Sequence, residues 1–255
     1  MTIVRRAHEA LVDFRIRPLY EAIMDFEREA VARGAKTVGE VGGSTGYRFV
    51  RTLVPKLKSA LFIEIDDAKI RKAYENCQEA ELKGIRFVKS DFLEVNDRAH
   101  PATYVEDNAV DVLRANDFLE HFDDQQLPRV LAECRRIAPF LIAFSPNRLF
   151  KHTTYWTALA NPKYPDRALV LQRGGLDVDH KQDFTTTSFI EAVRTNGYRI
   201  LSVRENVGYG WTGVFAVRTQ PKLPKGFNTS LFTKWLPITS PDSMLLEVER
   251  SRRLS

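Results

Sequence analysis

The sequence predicts an α/β domain with a doubly wound, mostly parallel sheet of seven strands. Three observations support this. Short apolar strands and amphipathic helical segments alternate as far as residue 145, a pattern typical of a parallel sheet covered by helices on both faces. The alternation then stops over residues 148–182, a stretch long enough to predict a functional insertion after strand five. Beyond it, one helix leads into two strands that we expect to pair antiparallel.

The predicted elements follow in order. Apolar residues recur at helical spacing up to Gly34 but are interrupted by Pro18, which predicts two helices or one kinked helix. The predicted strands are 37–41, 60–65, 85–88, 110–115, 140–144, 198–204 and 214–218. The helices expected between them are 47–55, 68–83, 127–137 and 186–196. We therefore expect N-terminal helices over 1–34, a core over 35–220 that contains the insertion, and a C-terminal tail over 221–255.

The composition narrows the classes of function. Of the 255 residues, 44% are hydrophobic and 28% are charged, which suits a globular chain with a sizeable core. The net charge is +5, but the basic residues are scattered, so nucleic acid is a less favoured partner without being excluded. No apolar run reaches the about 20 residues of a membrane span, and no secretory signal is visible. Cys77 and Cys134 fit no disulfide or zinc pattern, so we expect a cytoplasmic protein.

A glycine-rich turn follows the first predicted strand. Glu40 lies near the end of that strand, and the run Gly42-Gly43-Ser44-Thr45-Gly46 joins it to the next helix. Glycines let the backbone turn sharply and approach a ligand closely. Alone, such a turn is equally compatible with an ordinary connection between a strand and a helix.

Acidic residues also end the next two predicted strands. Glu64 lies about 20 residues after the turn, where its carboxylate can accept hydrogen bonds from ribose hydroxyls. Asp91 ends the third strand, where it can meet an adenine amino group, with Phe92 beside it for stacking. Any one of these acids could be a solvated helix cap. Because ligands of doubly wound sheets bind at the carboxyl ends of the strands, acids on three successive strand ends predict an adenosine site.

Together these residues resemble the class I S-adenosylmethionine-dependent methyltransferases, which have a Rossmann-like fold. Residues 40–46 resemble the family's first motif, Glu64 its ribose-binding acid and Ser90-Asp91 its adenine-side acid. Residues 116–121, 145–149 and 180–185 resemble segments of the small-molecule branch, so the resemblance covers about residues 35–218. It implies S-adenosyl-L-methionine as the cofactor, bound by Glu40, Gly42, Gly43, Ser44, Gly46, Glu64, Ile65, Asp91, Phe92 and Asn116.

The chain departs from the family pattern at Ser44, where the family usually has glycine. A serine side chain there would narrow the space beside the methionine part of the cofactor.

Two histidines are candidates for a catalytic base. A hydroxyl is a poor nucleophile unless a base takes its proton, and histidine is the usual base near neutral pH. His121 lies just past strand four, and His180 lies on the far side of the insertion. Either could instead have a structural role in a loop. Asp117 could orient a base or ligate a metal, but no spacing demands a metal, and we assign none.

The resemblance implies a methyltransferase that acts on the hydroxyl of a small molecule, such as a sugar, a phenol or a natural product. Its acceptor pocket is expected in the insertion, where Phe150, Tyr155, Trp156 and Tyr164 could form a wall or only a small satellite core. Two alternatives stay open: methyl transfer to RNA or protein, and a non-catalytic protein that keeps the fold. The first helices and the tail could support a homodimer.

Overall fold

A computed structural model describes residues 3–147, 155, 158–163, 166–175, 179–206 and 211–219, with side chains from Arg17 onward. The tail and three of the four aromatics proposed for the acceptor pocket (Phe150, Trp156 and Tyr164) lie outside the described residues. No helix in the described part of the chain is both long and apolar enough to cross a membrane.

One seven-stranded sheet forms the centre of the described structure. Its strands are β1 Thr37–Val41, β2 Lys58–Glu64, β3 Arg86–Lys89, β4 Val112–Asn116, β5 Phe140–Pro146, β6 Tyr198–Asn206 and β7 Trp211–Arg218. They lie in the order β3-β2-β1-β4-β5-β7-β6. Strands β1 to β5 are parallel to one another, whereas β7 runs antiparallel to both β5 and β6. The predicted fold class, including the antiparallel final strand, is confirmed.

Six helices are described around this sheet. They are α1 Ile3–Ala32, α2 Tyr47–Thr52, α3 Asp67–Glu79, α4 Leu127–Ile137, α5 Arg167–Gln172 and α6 Thr186–Thr195. Single turns of 3-10 helix follow β3 at Phe92–Glu94 and β4 at Leu119–His121. Helix α5 lies in the insertion, where the sequence predicted no regular element.

Helix α1 corrects one expectation, because it runs as a single helix through Pro18. The two-helix alternative is therefore wrong. Proline removes one backbone hydrogen bond, but the residues that follow pack tightly. Ile23, Phe26 and Ala30 are fully buried. Tertiary packing of an apolar face is the main source of helix stability in proteins, and here it outweighs the local defect.

The two faces of the sheet have different cores. Leu113 and Ala115 of β4 belong to a large apolar cluster with helices α4 and α6. Side chains alternate along a strand, so Arg114, which is fully buried, points to the other face. There Phe26 of α1 packs on Phe144, with ring centroids 5.5 Å apart. A fully buried arginine thus lies on the face that α1 covers.

The parallel strands bring the predicted motifs to one edge. Glu40 pairs in register with Phe62, and Glu64 pairs with Lys89. The carboxyl ends of β1 to β5 therefore share one edge, which is where doubly wound sheets bind their ligands. Since β7 is antiparallel, it starts at the same edge, with Trp211 opposite Pro146.

Candidate functional site

The glycine-rich turn leaves no room for side chains at its first two positions. Gly42 has a φ of 62°, and a Cβ there would lie 2.4 Å from Cδ2 of Phe118. A Cβ on Gly43 would lie 2.7 Å from both Phe62 and Glu40. Contacts this short require neighbouring core residues to move. Glycine is therefore required at both positions by packing, and the bare backbone remains open to a ligand.

Ser44 adopts a backbone conformation that favours glycine. Its φ is 52°, and for a residue with a Cβ the left-handed region costs about 1 kcal/mol. Its amide donates a 2.9 Å hydrogen bond to Oε2 of Glu64, which holds the turn in place. The serine side chain is exposed. Gly46, with a φ of 67°, then leads into α2.

Glu64 links the turn to the end of β2. Only 6% of the residue is exposed. Besides the Ser44 amide, its carboxylate accepts hydrogen bonds from the amides of Ile65 at 3.0 Å and Asp66 at 3.1 Å. A carboxylate offers about four acceptor positions, so one stays available for a ribose hydroxyl. Ile65 is 62% exposed and presents an apolar surface next to this carboxylate.

Asp91 and Phe92 follow β3 at the same edge. Asp91 is exposed and accepts a 2.9 Å hydrogen bond from the amide of Leu93, so it caps the short helical turn. Phe92 is only 4% exposed and packs edge-on against Phe118, with ring centroids 5.4 Å apart. The ring of Phe92 is mainly a core group, and its stacking on adenine stays a prediction.

Glu40 lies in a buried network of charges. Its Oε2 is 2.7 Å from Nε of Arg114, and its Oε1 accepts a 3.1 Å hydrogen bond from Asn116. The same guanidinium donates to Oε1 of Glu27, on α1, at 2.9 Å. The other oxygen of Glu27 accepts from the amide of Val54. Burial raises the pKa of Glu27, although the charge of Arg114 opposes the shift.

His121 and His180 lie side by side. Their ring centroids are 5.0 Å apart and the rings meet at 75°. Glu120 completes the group, because one ligand atom from each of the three residues lies within 4.8 Å of the others. The sequence separated these histidines by the whole insertion, and the fold brings both to the end of β4.

Backbone contacts hold this group together. The amides of Lys181 and Gln182 both donate to the carbonyl oxygen of Glu120, at 2.8 and 3.0 Å. Nδ1 of His121 is 3.1 Å from the carbonyl oxygen of Asp179. The segment that carries His180 is therefore fixed directly to the exit of β4.

Glu120 is fully buried and was not among the site residues expected from the sequence. Oε2 accepts a 3.1 Å hydrogen bond from Ser145 at the end of β5. Oε1 lies 3.9 Å from Nε2 of His180 and accepts no hydrogen bond from the described residues. Burial, reinforced by the negative charge of Asp117, raises the pKa of Glu120 well above its usual range. Asp117 itself pairs with Arg48 at 2.7 Å.

The Glu120–His121–His180 group has the chemistry of a cation site. A buried carboxylate oxygen that lacks a donor is costly, and a divalent cation would satisfy it. One carboxylate and two imidazoles suit zinc, iron, manganese or cobalt. No metal was expected from the sequence, because no spacing demanded one, and His180 is remote from Glu120 and His121 along the chain. Adjacent glutamate and histidine at a strand exit were the only available signal.

A row of polar side chains extends from this group along the sheet edge. Asn147 lies 3.5 Å from Oγ1 of Thr212, which is 3.0 Å from the hydroxyl of Thr186. Thr186 also donates to Glu205. Asn147 and Thr212 are buried, so this end of β5 and β7 is lined by hydroxyl, amide and carboxylate groups.

Sequence comparisons returned no relatives: no protein-family model matches the chain, and neither does any curated protein. Solved structures do match. An O-methyltransferase family protein from Burkholderia thailandensis has a TM-score of 0.55 and 16% identity, over 80% of this chain and 56% of that one. Magnesium protoporphyrin IX methyltransferase from Synechocystis PCC 6803, with bound SAH, has a TM-score of 0.53 and 16% identity, over 81% and 87%. The small RNA methyltransferase HEN1 has a TM-score of 0.52 and 17% identity, over 78% and 25%.

At identities this low, the comparisons bear on the fold. The chain spans only about half of the first of these proteins and a quarter of the third. All three are methyltransferases, and the similarity agrees with the glycine-rich turn and strand-end acids described above. The chain therefore has the fold of the class I S-adenosylmethionine-dependent methyltransferases.

Proposed function

We propose that the protein is an S-adenosylmethionine-dependent methyltransferase that transfers the methyl group to a hydroxyl oxygen of a small molecule such as a sugar, a phenol or a natural product. One observation carries this proposal. The glycine-rich turn with Glu64 and the group formed by Glu120, His121 and His180 lie along the same edge of one sheet. A nucleoside site and a site that can activate an oxygen are thus neighbours.

The residues around the turn fit the cofactor. Gly42 and Gly43 leave the backbone bare, and Glu64 retains an acceptor position for ribose. Asn116 is 3% exposed, and its Oδ1 has no hydrogen-bond partner in the described part of the chain. That oxygen can accept from the ammonium group of the cofactor. When bound, the cofactor supplies an electrophilic methyl group on a positively charged sulfur.

The chain's own groups would bind and activate the acceptor. The polar row that includes Asn147 and Thr186 can orient its hydroxyl groups. Methyl transfer then depends on holding the attacking oxygen in line with the methyl group and on removing its proton. A divalent cation held by Glu120, His121 and His180 would lower the pKa of a bound hydroxyl. Without a cation, one of the histidines would have to act as the base.

RNA is a second candidate acceptor. The net charge of +5 favours a polyanion, and one structural neighbour is a small RNA methyltransferase. Methyl transfer from labelled cofactor should be measured with sugars, catechols and single-stranded RNA at low and high salt. Transfer to the small molecules supports the proposal. If the methyl group is transferred only to RNA, and less at high salt, then RNA is the acceptor and the reaction is still methyl transfer.

Glu64→Ala tests the cofactor site. We expect cofactor binding to weaken by about 1–3 kcal/mol, because the variant removes a charged acceptor from the ribose. Titration calorimetry with S-adenosylmethionine measures this. Glu75→Ala, which removes an exposed carboxylate from α3, is the control and should bind normally. Wild-type affinity in Glu64→Ala would exclude this residue from the site, and absence of binding by the unmodified protein would refute the proposed function.

Removal of metal ions by a chelator tests whether turnover requires a bound cation. The protein purified in EDTA and dialysed is expected to lose turnover by about a hundredfold, because the pKa of the acceptor hydroxyl is no longer lowered. Turnover should return with one of Mn²⁺, Co²⁺, Fe²⁺ or Zn²⁺, and cofactor affinity should not change. Full activity after chelation, with no metal found by elemental analysis, would assign the activation to a histidine base.

A further inference from the structure

The buried charges beneath the glycine-rich turn do not balance. Glu27 and Glu40 both lie within ion-pair distance of the single guanidinium of Arg114. The side chains of Glu27 and Arg114 are completely buried, and that of Glu40 is 2% exposed. When both are ionised, two carboxylates share one positive charge where water cannot screen them. Burial raises the pKa of Glu27, so this surplus charge is present at the higher pH values. Charges interact more strongly in such surroundings than in bulk solvent.

This excess negative charge lies close to the cofactor site. Glu40 contacts Asn116 at the end of β4, and a Cβ on Gly43 would lie 2.7 Å from Cγ of Glu40. The nearby pair of Arg48 and Asp117 is balanced, so it does not cancel the excess. The glycine-rich turn is thus built directly on a charge cluster with one surplus carboxylate.

We propose that Glu27, acting through Arg114 and Glu40, is a positioning residue that makes the site prefer the sulfonium cofactor over its demethylated product. This inference rests on the proposed function. Methyl transfer converts a positively charged sulfur into a neutral thioether, and the rest of the molecule is unchanged. A surplus negative charge beneath the site stabilises the positively charged sulfonium and not the neutral thioether. It therefore favours cofactor loading and product release.

Glu27 is the member of the cluster whose neutralisation leaves the remaining buried charges balanced. Arg114 would still pair with Glu40 after Glu27→Gln, so no buried charge is left alone. Glu27 also lies on α1, away from the turn, and binds the amide of Val54 rather than any group of the glycine-rich turn. A glutamine oxygen can keep that hydrogen bond, but its amide nitrogen then replaces the oxygen that accepts from Arg114. The variant therefore removes both the charge of Glu27 and its hydrogen bond to Arg114, while Arg114 keeps its contact with Glu40.

The test compares two ligands in matched variants by calorimetry at pH 8. In Glu27→Gln we expect affinity for S-adenosylmethionine to fall roughly three- to tenfold, and affinity for S-adenosylhomocysteine to change less than about twofold. Glu29→Gln removes the same charge from the same helix, at a carboxylate that pairs with Arg33 and Ser202. It should leave the affinity ratio unchanged. If Glu27→Gln fails to fold, Glu27→Met removes the charge without adding an amide to satisfy.

The ratio of the two affinities separates this role from a structural one. A general distortion of the turn would weaken both ligands alike, and an equal loss would overturn the inference. An unchanged ratio with unchanged affinities would also overturn it. If the unmodified protein binds neither ligand, the proposed function fails and the inference fails with it.

Discussion

Replacing His180 with alanine is expected to lower turnover about a hundredfold or more, while cofactor affinity stays unchanged. The imidazole lies beside His121 and Glu120, so its loss removes either a ligand of the cation or a base. A positioned general base contributes about two to four orders of magnitude in rate. Steady-state turnover with an acceptor and calorimetry with the cofactor separate the two effects.

The double variant makes this prediction more specific. His121→Ala alone should have a similar effect, and the pair together should lose little more than either single variant, because groups that act as a unit are not additive. His100→Ala is the control, since that histidine is exposed and its hydrogen bonds in the described part of the chain are to Asp97, Thr103 and Tyr104. If the two single-variant losses of turnover multiply in the double variant, His121 and His180 do not form one functional group.

Arg114→Ala is expected to cost about 3–5 kcal/mol of unfolding free energy. The guanidinium separates two buried carboxylates, Glu27 and Glu40, and its removal leaves them uncompensated in the core. Removing one partner of a buried ion pair typically lowers the free energy of unfolding by about this amount. Loss of the packing of Arg114 on the ring of Phe49, 5.2 Å from its guanidinium carbon, adds to the effect. Urea unfolding followed by circular dichroism measures it.

An exposed ion pair provides the comparison. Arg71 pairs with Asp67 at 2.6 Å on the surface of α3, with side chains 69% and 49% exposed. Arg71→Ala should cost less than about 1 kcal/mol, because solvent screens such pairs. Equal losses in the two variants would mean that Arg114 is not a central element of the core.

Most of the fold could be predicted from local patterns. Strands β2 and β5 contain continuous apolar runs at 60–63 and 140–144, and the connections that follow β1, β2 and β3 carry glycine or acidic residues. Pro18 was the main misleading signal, because a local rule about proline does not include the packing of α1 against the sheet. Helix α5 was missed because six residues have too few turns to produce a clear periodicity and because, unlike α2, it does not follow a recognisable strand and glycine-rich turn.

The two halves of the site differed in how far sequence could predict them. Glu64 and the glycine-rich turn belong to consecutive elements, so their proximity followed from the topology. The Arg114–Glu27 contact joins residues 87 positions apart, and an arginine within a strand gives no sign of its partner. Glu120 was overlooked for a similar reason, since its neighbours His180 and Ser145 come from other segments. Buried charge networks depend on tertiary contacts that no local pattern records.

The attachment of residues 181 and 182 to the Glu120 carbonyl has an evolutionary consequence. Those two backbone hydrogen bonds need no particular side chains, and they fix the chain immediately after His180. Within the preceding segment, the described contacts to the two histidines include those of Arg173, which donates to the carbonyl oxygen of His180, and of the Asp179 carbonyl. Under the proposed function, substitutions in that segment that spare these two contacts could alter the acceptor while His180 keeps its place.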